Sequence, residues 1–464
     1  MGLDRRDFLR TGLAAACGAS MQEFAPQLGR SFAATPHSAG WSQVPGILAS
    51  IVPPKFAARD FVITSYGATS ANDCRPALAA AILACHNAGG GRVVVPAGAW
   101  LSNGPIHLLS NVNLFLDDGA HLTFGANPRY YLPLQLVRWQ GIRCYNYSPL
   151  IYAYQQKNIA VTGSGTFYGL GASVWARWTD IEGTDWDALQ TMASNGVPVT
   201  KRLFGTDHYL RPTMFEPYDC ENVLVQGVTF SDSPFWTMHP TFCTNVTIQE
   251  VTVTPGAEND DGCDPDSCLN VFIGGCNFST VDDNISIKAG TNPDALGLPG
   301  CQNIVIQNCN CLRSAWSGIT IGSQIGGTVS NVFVENCTVN NSLNAHYIKG
   351  NGNLGGGVEN VYIRSNQVYT CRTVFCLSPD AYTVPGSQGP PIFSNYNMQG
   401  VSCVESLDEP FLFTGDARRP ISDVNLSDIA IQATNSKKAG VITNTTDLSA
   451  VGITIKGVPV TVSG

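Results

Sequence analysis

The sequence has few charged residues, and they do not form a basic stripe. Lys, Arg, Asp and Glu together make up 13% of the 464 residues, and the formal net charge is −9. Nucleic-acid binding needs a surface of positive charge, so this composition argues against that class of protein. No apolar run approaches the ~20 residues that span a membrane. The hydrophobic content of 44% excludes an intrinsically disordered chain.

Glycine and proline are abundant where charge is scarce, with 47 and 27 residues respectively. Both residue types are typical of turns, so their abundance favours a mostly β protein with many turns. A chain of 464 residues exceeds what one ordinary globular core needs. The length therefore predicts either several domains or one elongated repeat.

The first twenty residues, MGLDRRDFLRTGLAAACGAS, resemble a twin-arginine export signal, with Arg5 and Arg6 ahead of a short apolar stretch. An ordinary amphipathic start is the alternative. Cleavage after Ala33 or lipid attachment at Cys17 would follow export. We therefore exclude residues 1–34 from the fold and predict a mature protein that works in the periplasm or outside the cell. Its partner during export would be the twin-arginine translocase.

A strand repeat runs through the rest of the chain. The segments CENVLVQGVTF, CTNVTIQEVTV, CLNVFIGGCNF and CQNIVIQNCNC share an asparagine followed by alternating apolar residues, the period of two that marks strands. The asparagine recurs every 23 to 35 residues, at Asn222, Asn245, Asn270, Asn303, Asn331, Asn360 and Asn395. A repeat of this length built from strands alone predicts an all-β fold, a single-stranded right-handed parallel β-helix beginning near residue 60.

Many cysteines fall at two positions of this repeat, two residues before the asparagine or six after it. They are Cys220, Cys243, Cys268, Cys301, Cys276, Cys309 and Cys337. Successive coils stack ~4.8 Å apart, so equivalent side chains form interior columns, and we predict buried thiols in two stacks. Disulfides are the alternative in an exported protein, but the twin-arginine route carries proteins that fold in a reducing cytoplasm. No Cys–His set has ligand spacing, so we expect no metal.

Two segments interrupt the repeat. CRPALAAAILACHNAGGG has helical apolar spacing and ends in glycines, which predicts a helix that caps the N-terminal end of the solenoid. The stretch at about 170–211 breaks the period and carries Trp175, Trp178 and Trp186. It is either a lid over a binding groove or a flap that packs against the side. We predict a single β-helix domain over 35–464 that includes this insertion.

Aspartates cluster in two neighbouring coils. Aligning NDDGCDP, VDDNISIK and WSGITIGS puts Asp261, Asp283 and Ser317 in one column, with Asp282 beside them. Carboxylates this close cannot all ionise easily, so one should keep its proton to a higher pH. A protonated acid beside ionised carboxylates is what glycosidic hydrolysis requires. A calcium site or a solvated turn ladder is the alternative interpretation.

Two long stretches carry a resemblance to a known family. They are RPTMFEPYDCENVLVQGVTFSDSPFWTMHP and NDDGCDPDSCLNVFIGGCNFSTVDDNISIKAG. The chain resembles glycoside hydrolase family 28, the polygalacturonase family, and most closely its bacterial exo-acting branch. The resemblance implies that Asp282 is the general acid and that Asp261 and Asp283 hold and deprotonate the attacking water. It also implies inversion at the anomeric carbon and no metal or other cofactor.

Two departures from the family pattern concern its basic residues. Where the family has Gly-His-Gly, this chain has Trp316 and Ser317, and where it has Arg-Ile-Lys, this chain keeps only Lys349, with Tyr347 in place of the arginine. Both groups grip a galacturonate carboxylate in the family. The predicted substrate-binding residues are therefore Lys349, Tyr347, Ser317 and, from PFWTMHP, Trp236 and His239. His239, His346 or Arg313 could replace the missing cation.

These observations together predict an exported, monomeric glycoside hydrolase that cleaves pectic polysaccharide or oligosaccharide with inversion at the anomeric carbon. Its specificity would be altered toward neutral or decorated sugars, as in rhamnogalacturonan. Two alternatives remain open from the sequence, a polysaccharide lyase on the same scaffold and a non-catalytic carbohydrate-binding β-helix. A lyase needs a basic proton abstractor, and the predicted cleft has few Arg and Lys residues.

Overall fold

The computed structural model describes residues 40–379 and 388–463, and these fold into a parallel β-helix as predicted. The export signal predicted over residues 1–34, with Cys17, lies outside the described residues. The helices of the described part are Val44–Ser50, Arg75–Asn87, Ala176–Thr179 and Gly183–Ser194, with shorter 3₁₀ or π turns at Ile63–Tyr66, Pro128–Tyr131, Gly171–Trp175 and Val199–Lys201. None of them is long and apolar enough to cross a membrane.

The longest sheet, which we call the asparagine sheet, has 13 parallel strands in unbroken order. They are Asp60–Val62, Gly91–Val95, Val112–Leu116, Lys157–Gly163, Glu221–Gln226, Thr244–Gln249, Leu269–Gly274, Cys301–Gln307, Thr328–Glu335, Gly357–Arg364, Ile392–Gln399, Ile421–Ser427 and Thr445–Val451. Each strand contributes alternate apolar residues to one continuous interior. The segments that the repeat identifies are therefore the strands of this sheet.

The recurring asparagine has a backbone role that explains its spacing. In every coil from Asn111 to Asn395 it adopts a positive φ, a conformation that asparagine tolerates better than most residues. Its side-chain amide donates to the asparagine of the preceding coil, with Nδ2 to Oδ1 distances of 2.7 to 3.3 Å. This asparagine ladder pins each coil to the one before it at the start of the sheet.

A second sheet follows the asparagine sheet around each coil. Its strands are Gly98–Ser102, Ala120–Phe124, Thr166–Tyr168, Thr229–Ser231, Thr252–Val253, Asn277–Ser279, Asn310–Arg313, Thr338–Val339, the first part of Gln367–Ser378, Ser402–Ser406, Ala430–Thr434 and Thr454–Ile455, with Val458–Pro459 antiparallel at the end. Stacked aromatic rings fill part of its inner face, such as Phe124, Phe167 and Phe230.

The third sheet, which we call the site sheet, is less regular. Its strands are Ile106–His107, Ile151–Tyr154, Phe215–Tyr218, Ile285–Ile287, Ser317–Ile321, Ser342–Lys349, the second part of Gln367–Ser378, Phe411–Thr414 and Gly440–Thr443. Between Phe215–Tyr218 and Ile285–Ile287 it is reduced to single bridges at Met238, Thr241, Cys263 and Asp266. The predicted aspartates lie in and beside this interrupted part.

The helix Arg75–Asn87 caps the N-terminal end, as predicted. Its buried face, which includes Leu78 and Ile82, packs on the first strands of the asparagine sheet, and it ends at glycines with positive φ. A second helix, Val44–Ser50, lies on the outer face of the same sheet against Val305, Phe333 and other apolar residues. Together these helices shield apolar surface that the coils alone would expose.

All 15 described cysteines are buried and free, which confirms the prediction of thiols for this part of the chain. The Cys243 side chain contacts those of Cys220 and Cys268 along the predicted column, and each of the three thiols also donates to a backbone carbonyl of its own or the preceding coil. They pack as small apolar residues in the interior.

The insertion at about 170–211 packs against the side of the coils. Trp175 and Trp178 are buried in the main core, where they stack edge to face with each other. Trp186 lies instead on Trp139 of a small separate sheet, which is formed by the strands Gln135–Trp139, Ile142–Asn146 and Leu203–Phe204. Of the two interpretations of these tryptophans, side packing is the one observed.

Candidate active site

The strand register brings the predicted aspartates together. Cys263 pairs with Ile285, which pairs with Ile319, so the residues two positions earlier, Asp261, Asp283 and Ser317, fall in one column. Oxygen atoms of Asp261, Asp282 and Asp283 lie within 4.8 Å of one another. The three carboxylates are only 1 to 3% exposed. The predicted proximity is therefore present, whereas the catalytic roles of these residues stay predictions.

The carboxylate of Asp260 holds the backbone at this point. Its Oδ1 accepts hydrogen bonds from the N–H groups of Val281 and Asp282 at 2.8 and 2.9 Å, and its Oδ2 accepts one from Gly256 at 2.7 Å. Burial raises the pKa of Asp260 to about 7, although these N–H donors oppose the rise. Asp260 thus joins the two aspartate-bearing coils directly beneath Asp282.

Two lysines supply positive charge to the cluster. Lys349 Nζ lies 2.7 Å from Asp283 Oδ2, and Lys288 Nζ lies 3.1 Å from Asp261 Oδ2 and 3.2 Å from Asp264 Oδ1. Burial opposes the charge on Lys288, but Asp264 and Asp261 outweigh it and raise the pKa of this lysine. The two ammonium groups therefore offset part of the negative charge of the carboxylate cluster.

The acidic groups have different proton affinities. Burial raises the pKa of Asp261 to about 6, with Lys288 opposing the rise and the charges of Asp282 and Asp283 adding to it. Burial and the neighbouring Asp261 raise the pKa of Asp264 well above its ordinary value. At neutral pH Asp261 is therefore mostly ionised. Such divergent proton affinities are typical of sites that perform acid–base chemistry.

Asp282 is oriented by hydrogen bonds on both of its oxygens. Oδ2 accepts from Asn259 Nδ2 at 3.1 Å, and Oδ1 accepts from the backbone N–H of Asp283 at 2.9 Å. The backbone carbonyl of Asp282 accepts hydrogen bonds from Thr280 and Ser314, each at 2.6 Å. The position of this carboxylate is thus determined by four neighbouring residues.

The predicted substrate-binding residues surround this cluster. Lys349 contacts both Asp283 and the ring of Tyr347, whose centroid is 5.4 Å from Nζ. Ser317 is fully buried, and its hydroxyl accepts a hydrogen bond from Asn344 at 3.3 Å. Ser317 therefore supplies no positive charge to the cluster.

Trp236 and His239 form a layer beneath the lysines. Lys288 Nζ lies 4.3 Å from the Trp236 ring centroid, and Trp236 packs edge to face on His239. His239 is fully buried, 3.4 Å from Asp266 and 3.8 Å from Glu216. Burial opposes a charge on His239, but these two carboxylates outweigh it and raise its pKa. This layer supports the carboxylates from the interior side.

His346 cannot replace the missing family cation, and that suggestion is wrong. The ring lies inside the coil, with Nδ1 3.2 Å from the carbonyl of Val374 and Nε2 accepting from Asn366 at 2.9 Å. Burial lowers the pKa of His346 to about 4, so it is neutral. The alternation of the strand points Tyr347 outward and its neighbour His346 inward, which explains the error.

Sequence reasoning missed Lys288, Asn259 and Asp264. Lys288 follows Ile285 and Ile287, whose side chains point inward, so alternation predicts that Ser286 and Lys288 share the outer face. The lysine of VDDNISIK, on the outer face and close to the aspartates, could therefore have been predicted to belong to the site. Asn259 carried a weaker signal, because only the structure reveals its contact with a coil 23 residues later.

The chain is similar in sequence to a family of known proteins. The model of "Glycosyl hydrolases family 28" matches residues 146–446. A probable polygalacturonase from Vitis vinifera is 27% identical over 62% of this chain, which spans only 56% of that protein. A probable endo-xylogalacturonan hydrolase A from Neosartorya fischeri is 25% identical over 84% of this chain and 88% of its own length.

A solved structure gives the same result. The exopolygalacturonase from Thermotoga maritima superposes with a TM-score of 0.78, with 29% identity over 89% of this chain and 96% of that one. The family match covers the asparagine ladder from Asn158 onward and all three clustered aspartates. This chain therefore belongs to glycosyl hydrolases family 28.

Proposed function

We propose that this protein is a glycoside hydrolase that cleaves pectic polysaccharide or oligosaccharide. The observation that carries the proposal is the group of three carboxylates, Asp261, Asp282 and Asp283, with oxygens within 4.8 Å and lysines on two of them. Membership of family 28 and the names of the relatives support the substrate class.

In this proposal Asp282 protonates the oxygen of the leaving sugar. Asp261, with a pKa of about 6, is mostly ionised at neutral pH and can accept a proton from water. Asp283 Oδ1 is buried without a hydrogen-bond partner among the described residues, and this acceptor can orient the same water. Water attacks the anomeric carbon while the bond to the leaving oxygen breaks, which inverts the configuration.

The specificity we propose follows from the missing family cations. Ser317 and Tyr347 cannot form the paired, charge-assisted hydrogen bonds that an arginine makes with a carboxylate. Lys349 remains, with its side chain 14% exposed, and can hold one acidic group. A substrate with both neutral and acidic sugars, such as rhamnogalacturonan or a decorated galacturonan, suits this arrangement better than unmodified polygalacturonate.

We also propose that the protein is exported through the twin-arginine route and acts as a monomer in the periplasm or outside the cell. The support is the paired Arg5 and Arg6 and the buried free thiols, which a protein folded before export would retain. Exchanging both arginines for lysine should leave the protein in the cytoplasm, as cell fractionation would reveal.

A product assay on defined pectic fragments tests the proposed reaction. We expect new reducing ends, no unsaturated product that absorbs ultraviolet light, and an inverted anomer in the first product seen by proton NMR. An ultraviolet-absorbing product would indicate a lyase, and binding without any product would indicate a carbohydrate-binding protein. Turnover on polygalacturonate at least tenfold above that on mixed fragments would refute the specificity but leave the hydrolase.

A further inference from the structure

A buried chain of side chains links the insertion to the proposed acid. Arg211 forms a paired interaction with Glu182, with Nη2 to Oε1 at 2.7 Å and Nε to Oε2 at 2.8 Å. The same Nη2 donates to Asn259 Oδ1 at 2.9 Å, and Asn259 Nδ2 donates to Asp282 Oδ2 at 3.1 Å. Glu182, Arg211 and Asn259 are each at most 7% exposed.

Every donor of the Arg211 guanidinium has a protein acceptor. Two of its five N–H groups bind Glu182 and one binds Asn259, while Nη1 donates to the backbone carbonyls of Pro234 and Glu258. A lysine has three donors in a different geometry and could not make these bonds. The position of this guanidinium is therefore tightly determined.

The arginine also determines which way the Asn259 amide points. A guanidinium can only donate hydrogen bonds, so the amide must turn its Oδ1 toward Arg211. The opposite end, Nδ2, then faces Asp282 as a donor. If the amide were free to flip, it would present an acceptor oxygen to a carboxylate instead. Arg211 thus decides whether Asp282 meets a donor or an acceptor.

We propose that Glu182 and Arg211 are positioning residues, which fix the Asn259 amide and thereby set the rotamer and the proton affinity of Asp282. This inference rests on the proposed role of Asp282 as the acid. A donor to a carboxylate favours its ionised form, so the Asn259 amide makes Asp282 release its proton more readily. The insertion that carries Glu182 is in this way part of the catalytic apparatus.

The burial of the ion pair supports a role beyond stability. A buried arginine–carboxylate pair gains little net stability, because desolvation offsets the attraction between the charges. Asp185, in the helix that begins directly after Glu182, joins two parts of the insertion by other contacts, since its carboxylate binds His208 Nδ1 and the Tyr209 N–H, both at 2.6 Å. The fold of the insertion therefore has a support of its own that does not involve Asn259.

Substitution of Glu182 or Asn259 leaves the other charged groups near Asp282 in place. Asp260 and Asp261 face it from the coil of Asn259, and Asp283 adjoins it in its own coil. Lys288 and Lys349 reach the cluster through Asp261 and Asp283. A change in pH dependence caused by Glu182 or Asn259 can therefore be assigned to the amide.

The test compares pH profiles of kcat/KM on a pectic fragment that the wild type cleaves. Asn259→Gly removes the amide without strain, because Asn259 has a φ of 62°. We expect its alkaline limb to move up by about one pH unit, the shift that loss of one hydrogen bond to a charged group produces. Glu182→Gln should move the limb in the same direction by a smaller amount, with KM nearly unchanged.

The double variant and a control make the test specific. Glu182 acts only through Asn259, so Glu182→Gln should add no further shift to Asn259→Gly. Asp185→Asn, which loosens the same insertion, should lower the melting temperature and leave the alkaline limb in place. The inference is overturned if Glu182→Gln leaves the limb unmoved, or if its shift adds fully to that of Asn259→Gly. Full activity of Asp282→Asn would instead refute the proposed acid itself.

Discussion

The asparagine sheet and the site sheet wrap the same interior, yet they are built in opposite ways. The asparagine sheet pairs 13 strands without a break, and its defining polar side chain is a neutral amide repeated from coil to coil. The site sheet falls to single bridges beside its carboxylates, and neighbouring coils place different charged residues there. The asparagine sheet has the same polar residue in successive coils, whereas the site sheet has different charged residues in neighbouring coils.

This difference shows where the fold obtains its regularity and where it can vary. Because the asparagine sheet holds the backbone of each coil, the site sheet can lack some ladder hydrogen bonds and can carry buried charges. Those charges gain little net stability, as expected for desolvated ion pairs. Substitution in the asparagine sheet should therefore change stability alone, whereas substitution in the site sheet should also change activity and pH dependence.

The largest effect should come from Asp282→Asn, which changes chemistry and leaves the register intact. We expect turnover to fall by about 10² to 10⁴, the usual contribution of general acid catalysis. Asp423→Asn is the matched control, because Asp423 occupies an asparagine position of the repeat and has a φ of 57°. Initial rates and melting temperatures measure both. An Asp282→Asn enzyme with normal turnover would exclude this residue as the acid.

Lys288→Met should have the next largest effect, because it removes an ammonium group that contacts both Asp261 and Asp264. Breaking a buried ion pair on one side costs about 3 to 5 kcal/mol, and we expect that loss in the free energy of unfolding. Urea denaturation at neutral pH measures it. The control is Lys157→Met, which breaks an exposed pair with Glu221 and should leave the midpoint almost unchanged. Equal midpoints for the two variants would contradict the comparison.

Asp261→Asn should change how stability depends on pH, in addition to a cost at every pH from leaving Lys288 without this partner. Its pKa rises from 3.8 to about 6 on folding, so its contribution to stability is fully present below pH 3.8 and is lost as the pH rises through 6. Relative to wild type, the variant should therefore gain on the order of 2 kcal/mol between pH 4 and 7. Urea midpoints across this range test the sign. A relative gain in stability of the variant that appears only below pH 4 would mean that folding lowers the pKa of Asp261 instead of raising it.

Asn270→Ala should have the smallest effect, and it tests the asparagine sheet. The substitution removes a donor to Asn245 and an acceptor for Asn303 and places alanine at a φ of 60°. We expect a loss of about 2 kcal/mol in stability, and about half of that for Asn270→Gly, which adopts the same φ without strain. Activity of the folded protein should not change. Identical stabilities for the two variants would mean that the backbone conformation is not the reason for asparagine.

The repeat made the fold and the aspartate column predictable, because both depend on register. Seven asparagines sufficed to align the coils, and the alignment put Asp261 beside Asp283. Alternation alone would also have predicted that Lys288 faces outward and that His346 faces inward. Both orientations follow from the alternation of side chains along a strand, so the sequence alone is enough to predict them.

The rest of the site could not be predicted from the repeat. Glu182 lies in an insertion without periodicity, and its contact with Arg211 depends on how that insertion folds back. The proton affinities of Asp260 and Asp264 depend on burial from several coils at once. Such properties arise from three-dimensional packing, to which a one-dimensional pattern gives no access.

The asparagine ladder also determines how this protein can change in length. Each amide bonds to its counterparts in the adjacent coils, while 23 to 64 residues separate them along the chain. Surplus residues can loop out between sheets without disturbing the ladder, whereas a deletion that removes one whole coil joins two asparagines that already fit each other. The protein can therefore lengthen by duplication of complete coils and shorten by their loss. A solenoid shortened by one complete coil should still fold.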